Sequence, residues 1–303
     1  MSHARIATLT TLAMLAFAGN SLLCRAALKL TSIDPASFTS IRLVSGALVL
    51  WLLVRVKPGT AKGEGSWLSA LALFTYAAGF SFAYEQLPAA SGALLLFGAV
   101  QATMIGHGVW AGERFRKLQL VGLALALGGL VGLLLPGLSA PPLLGSALMI
   151  GSGMAWGVYS LRGRGQGDAT LVTSGNFLRA APIALALSVL MLSQVSVDIA
   201  GVLYALASGA LTSAVGYAIW YTALPAIKAS SAATVQLSVP VIAAMGGVAF
   251  LGESITARLV LASLAILGGI ALVILEKQNA DASQAAMQAI PPGKTPSNEA
   301  LHD

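Results

Sequence analysis

Charge is what this chain has least of: Lys, Arg, Asp and Glu together make up 9% of it, against about 25% in an ordinary soluble domain. Apolar residues reach 57%, more than a water-soluble body can hide, so lipid is the solvent for most of them. The chain has a single cysteine, Cys24, which excludes a disulfide framework and a cysteine-cluster metal site; Cys24 itself reads as a small buried apolar residue. Histidine occurs at positions 3, 107 and 302, too few for a metal cluster or for the nucleophile–base pair of an intramembrane enzyme. Gly293-Lys294-Thr295 lacks the upstream glycine of a phosphate-binding loop, which counts against an ATP-driven pump. The net charge of +6 comes from residues near segment ends, without a basic face or interleaved aromatics, so no nucleic-acid partner is expected. The composition points to no catalytic residue, cofactor or metal; the expected partners are a small-molecule substrate and membrane lipid.

What the chain does have is repetition. GERFRKLQLVGLALALGGLVGLLL at 112–135 returns as GESITARLVLASLAILGGIALVIL at 252–275, which sets Gly112 on Gly252, Glu113 on Glu253 and Gly128-Gly129 on Gly268-Gly269. Ten apolar segments follow one another at 6–29, 35–56, 66–84, 88–111, 117–135, 142–161, 170–192, 198–222, 228–251 and 256–276. Most are close to the roughly 20 residues that carry a helix across a bilayer core. Asp34-Pro35 and Gly167-Asp168 read as helix starts, and Pro58-Gly59, Pro136-Gly137 and Pro141-Pro142 as breaks. The expected fold is an all-α membrane protein of ten transmembrane helices, with repeats at 1–138 and 139–277 and a disordered cytoplasmic tail at 278–303.

The first segment resembles a signal peptide, since Arg5 precedes an apolar run reaching Ala16-Phe17-Ala18. MLAFAGNSLL at 14–23, however, aligns with SGMAWGVYSL at 152–161. Cleavage would break that pairing, so a retained first helix is expected. With the N-terminus in the cytoplasm, the inner side holds Arg5, Arg55, Lys57, Lys62, Arg114, Arg116, Lys117, Arg162, Arg164, Lys228, Lys277 and Lys294; the outer side holds Arg25, Lys29 and Arg258. That bias puts both termini in the cytoplasm; the expected location is the bacterial inner membrane. Five helices per half is an odd number, so the second half enters the membrane inverted relative to the first.

ASGALLLFGAVQATMIGHGVWAGE at 90–113 and SSAATVQLSVPVIAAMGGVAFLGE at 230–253, each followed by a Gly-Gly helix, resemble the EamA repeat. That repeat marks ten-helix carriers of the drug/metabolite transporter superfamily, and the resemblance covers the chain to about residue 276. Within the family the chain looks most similar to amino-acid exporters of the YddG type, which are associated with aromatic amino acids. One departure is Val100, which stands where the second copy has Pro240 and where the family often has proline. The resemblance implies a secondary exporter of small metabolites, most simply amino acids, that works by alternating access. A proton-coupled multidrug or metabolite carrier of the same superfamily is the alternative.

Polar side chains inside helices are costly in lipid, so they are expected to face a cavity or one another. Glu64, Glu113, Asp168 and Glu276 fall on the inner side and Asp34, Glu85, Asp198 and Glu253 on the outer. With no carboxylate mid-membrane, a proton relay lacks its usual group, and uniport is the simpler reading. Helix three carries Tyr76, Phe80 and Tyr84 on one stripe. A shift that sets Phe80 on Tyr217 also sets Tyr84 on Tyr221 and Pro88 on Pro225 in helix eight. An aromatic cavity wall would suit amphipathic or aromatic substrates and an ammonium group; packing or an interfacial belt explains the same residues. Further candidates are Asn20, Gln101, His107, Trp156, Tyr159 and Gln236, with Arg42 either snorkelling or binding a carboxylate. Helices one, three, four, six, eight and nine are expected to line the cavity. Pro182 and Pro240 mark kinks, and the glycines of helices five and ten mark close packing, either within one chain or between two. A monomer is sufficient for this scheme.

Overall fold

The computed structural model describes residues 1–56, 65–112, 115–137, 140–163, 168–227 and 229–288. Among them the chain forms α1 (His3–Leu30), α2 (Pro35–Val56), α3 (Trp67–Gln86), α4 (Ala89–Trp110), α5 (Lys117–Leu134), α6 (Leu143–Arg162), α7 (Ala169–Leu190), α8 (Ile199–Ala226), α9 (Ala229–Gln236 and Ser238–Leu251) and α10 (Ala257–Gln288). Nine of these, among the described residues, are long and apolar enough to cross a bilayer. The remaining one, α6, has 20 residues but is diluted by Gly145, Ser146, Gly151, Ser152, Gly153 and Gly157, and it packs between α3 and α4. Glu113 lies outside the described residues. The stretch read as a tail from 278 continues α10 as helix to Gln288, and 289–303 lie outside the described residues.

Side chains fix where the helices begin. Asp34 Oδ1 accepts from the Ser37 N–H at 2.8 Å and starts α2. Asp168 takes the Thr170 and Leu171 N–H groups of α7, and Ser66 takes that of Ser69 in α3. Two helices are interrupted rather than kinked. In α9, Pro240 has no N–H for the Gln236 carbonyl, and the helix breaks at Leu237, whose own N–H turns to the Thr234 carbonyl at 3.1 Å. Its counterpart α4 carries Val100 there and runs unbroken, and α7 also runs unbroken through Pro182. The helix expected at 198–222 opens into a wide π turn over Ser208–Val215. Gly112 and Gly252 end α4 and α9 with φ of 95° and 61°, a left-handed conformation that glycine adopts at little cost.

The principal partners of each helix come from the other half of the chain. α3 packs on α6 and α8 on α1; α4 packs on α6 and α9 on α1; α3 packs on α7 and α8 on α2. The remaining large contacts, α2 with α7, α4 with α9 and α5 with α10, join equivalent helices. This is the pattern of two inverted five-helix repeats. α5 and α10 form an outer pair, close because Gly122 and Gly129 meet Gly269, Ala265 and Ile266. Turns 31–34, 191–198 and 252–256 share one face, called here the Glu253 face; Asp168, at the far end of α7 from turn 191–198, lies on the opposite face.

Candidate binding cavity

Where six helices meet at mid-height, a polar chain runs through the apolar interior. Arg42 of α2 is 1% exposed. Its Nη2 donates to Tyr76 Oη at 2.9 Å and its Nε to Ser213 Oγ at 3.3 Å. The guanidinium carbon lies 5.2 and 5.0 Å from the ring centres of Tyr76 and Phe80, within cation–π range. Asn20 Nδ2 donates to the same Tyr76 oxygen at 3.2 Å, while Ser208 Oγ and Thr212 Oγ1 donate to Asn20 Oδ1 at 2.7 and 3.3 Å. Ser208, Thr212 and Ser213 all come from the π turn of α8. An ordinary α-helix would spread these hydroxyls differently around its axis, so the wider turn is what presents them together.

Beside this chain stands an aromatic cluster. Trp156 stacks on Tyr217 at 5.2 Å and on Tyr159 at 5.3 Å, and Tyr76 tilts against it at 4.7 Å. Phe17 meets Tyr217 edge-on at 5.7 Å. Between the two groups is a cavity of about 30 Å³, room for a water or two and too small for a metabolite. Its wall is Phe17, Asn20 and Ser21 of α1, Tyr76 and Phe80 of α3, Leu96 and Phe97 of α4, Trp156 of α6, Thr212, Ser213 and Tyr217 of α8, and Gln236 of α9. Both halves contribute.

The cavity is shut at both ends by contacts within each half and between the halves. Toward the Glu253 face, Phe80 abuts Tyr84 edge-on at 4.7 Å, and Tyr84 packs on Gly92. Above them Arg25 donates to Glu253 Oε1 at 3.1 Å and to the carbonyls of Tyr84 and Glu85 at 2.9 and 3.0 Å. Glu253 Oε2 accepts the Ala89 N–H at 2.8 Å. Glu253 therefore caps α4, and the Thr256 hydroxyl starts α10 by accepting the Leu259 N–H. Toward the opposite face, Asn176 Nδ2 donates to Tyr159 Oη at 3.4 Å, and its Oδ1 accepts the Ser66 N–H at 3.0 Å. Arg162 Nε donates to Ser69 Oγ at 3.2 Å.

Of the residues singled out in the sequence, Asn20, Tyr76, Phe80, Trp156, Tyr217 and Gln236 stand in the cavity wall. Arg42 is immediately behind it. Tyr84 forms the plug toward the Glu253 face, and Tyr159 and Tyr221 flank the cluster behind Trp156 and Tyr217. Gln101 is buried on α4 outside this wall. His107 is exposed near the end of α4, edge-on to Trp110, and has no place in the cavity. Ser208, Thr212 and Ser213 escaped the sequence reading, although three hydroxyls in an apolar segment are a signal of a lined interior. Phe17 carried no signal within its apolar run.

The sequence pattern of the EamA-like transporter family matches this chain twice, over residues 5–135 and 143–275. An uncharacterized protein of Pseudomonas aeruginosa is 56% identical over 288 residues, covering 94% of this chain and 100% of its own length. A crystal structure of a protein aligns with a TM-score of 0.63 over 89% of this chain and 99% of its own, at 19% identity, a likeness of fold.

Proposed function

This chain belongs to the EamA-like transporter family, and from that premise we propose that it exports amino acids, aromatic ones included, by alternating access. It is a multi-pass membrane transporter of small molecules. The observation that carries the finer reading is the closed mid-height cavity, walled by residues of both halves and shut at each end by contacts between those halves. Opening the Arg25–Glu253 contacts would admit one side, and opening the Ser66–Asn176 contacts the other. The bodies that rock are the repeats at 1–138 and 139–277. The wall joins aromatic faces, which stack on apolar or aromatic side chains and attract an ammonium group, to amides and hydroxyls that suit a zwitterion.

Among the described residues, carboxylates sit at the two faces or beyond Glu276, and none lines the cavity. This supports uniport down the substrate's own gradient. The basic bias of the loops supports an inner-membrane protein with both termini in the cytoplasm. The test is efflux of each amino acid from proteoliposomes, with and without a proton gradient. Amino-acid flux that ignores the gradient is the expected result. Flux that requires the gradient would overturn uniport, and no amino-acid flux at all would overturn the substrate class.

A further inference from the structure

Among the described residues Arg42 is a cation without an anion. It is 1% exposed, its Nη1 has no hydrogen-bond partner among the described residues, and the groups that do hold it are a phenol, a hydroxyl and two ring faces. A buried charge left in that condition is expensive, and in membrane segments such a charge usually marks a substrate path. The groups holding Arg42 belong to Tyr76, Phe80 and Ser213, all three of which line the cavity. Tyr76 Oη accepts from both Arg42 and Asn20, the latter amide being turned that way by the Ser208 hydroxyl on its oxygen. With both bonds accepted, the phenolic hydrogen is left for a third partner.

We infer that Arg42 Nη1 and the Tyr76 hydroxyl are the anion-binding pole of the cavity, and that the substrate supplies the missing counter-charge as one carboxylate. This deepens the amino-acid reading above and rests on it. The site is built for a single negative charge. The alignment that sets Phe80 on Tyr217 sets Arg42 on Arg179, yet Arg179 lies beside Gly65 and donates to the Gly175 carbonyl of its own helix at 2.8 Å, whereas Arg42 donates to Tyr76 and Ser213 of the wall. A dianionic phosphate would find one cation where it needs two. The duplication thus produced a pair of arginines, and one of them serves the cavity.

Two measurements on the full chain test this. The first compares phenylalanine, 3-phenylpropionate, phenylalaninamide and phenethylamine in proteoliposomes. The first two should be carried and the last two should not; Arg42→Gln should lower phenylalanine flux at least about tenfold, and Arg42→Lys should retain part of it. Equal flux of amine and acid, unchanged in Arg42→Gln, would overturn the inference and leave the transporter reading standing. The second measurement needs no transport. In detergent, Arg42→Met should melt above the wild type without ligand, because an uncompensated charge is gone. Carboxylates from acetate to 3-phenylpropionate should raise the melting temperature of the wild type and not of the variant. A lower melting temperature for unliganded Arg42→Met, or no carboxylate shift in the wild type, would assign Arg42 to packing and overturn the inference even if amino-acid flux is found.

Discussion

Arg25 and Glu253 meet at 3.1 Å, nearly buried, one from the first helix and the other from the last turn of the second repeat. The pair does more than join two charges. Arg25 also holds the last carbonyls of α3, and Glu253 holds the first N–H of α4, so four segments are tied at one point above the Tyr84 plug. Replacing Glu253 by Gln leaves the arginine uncompensated and should cost about 1–3 kcal/mol on this face. Cys24, fully buried one helical position before Arg25, is a built-in reporter. A membrane-impermeant maleimide should label Cys24 faster in Glu253→Gln than in the wild type. Equal labelling would show that this contact does not gate the cavity.

The aromatic cluster gives the second prediction. Truncating Tyr217 to Ala removes contacts to Phe17, Trp156, Phe177 and Tyr221 at once, and large aromatic truncations cost about 3–5 kcal/mol in a packed core. Tyr217→Ala and Trp156→Ala should each reduce transport at least about tenfold in proteoliposomes, whereas Tyr217→Phe keeps the ring and retains most of it. His107→Ala, exposed and remote from the wall, should leave flux unchanged. Loss of flux in His107→Ala would point to a route outside this cavity.

Packing of α5 on α10 separates glycines that look alike in the sequence. A methyl group on Gly122 would meet the Gly269 carbonyl at 2.6 Å, and one on Gly129 would meet Ala265 at 2.7 Å, whereas Gly128, Gly132 and Gly268 have nothing within 4 Å. Gly122→Ala and Gly129→Ala should therefore lower the melting temperature in detergent. Gly128→Ala and Gly132→Ala should hold or raise it, since Ala gains about 1 kcal/mol over Gly within a helix.

Asp198 provides a pH dependence at the Glu253 face. Its carboxylate is held below the usual range first by the Ser32 N–H at 2.9 Å and then by the Gly201 N–H that it caps. A depressed carboxyl stabilises the fold above the unfolded value of about 3.9, and that contribution is lost as pH falls through the lower folded value. Wild-type melting temperature should fall on acidification below about pH 4 by more than that of Asp198→Asn. Parallel pH profiles would contradict this assignment.

Much of the scaffold is legible in the sequence because two strong constraints write it there. Lipid demands long apolar runs, and duplication leaves the same Gly-Glu pair in the sequence twice, at Gly112 and Gly252. Proline chemistry likewise separates α9 from α4 through Pro240 and Val100. The site is less legible, since it depends on depth and rotation that a periodic pattern does not fix. Tyr84 and Tyr217 belong to the paired stripes, yet one is a plug and the other a wall. The hydroxyls of Ser208 and Ser213 reach Asn20 and Arg42 because α8 widens there, and nothing in a run of small residues announces a π turn. Arg42 and Arg179 occupy matching positions, and the difference in their surroundings appears once the helices are packed.

Counterflow tests the central claim most directly. Proteoliposomes preloaded with unlabelled phenylalanine, held with a proton ionophore and given trace labelled phenylalanine outside, offer no gradient except that of the substrate. A cavity opening alternately to the two sides predicts transient accumulation of label above equilibrium, abolished in Tyr217→Ala. Label that enters no faster than into protein-free liposomes, for phenylalanine and for every other amino acid tried, would contradict the account.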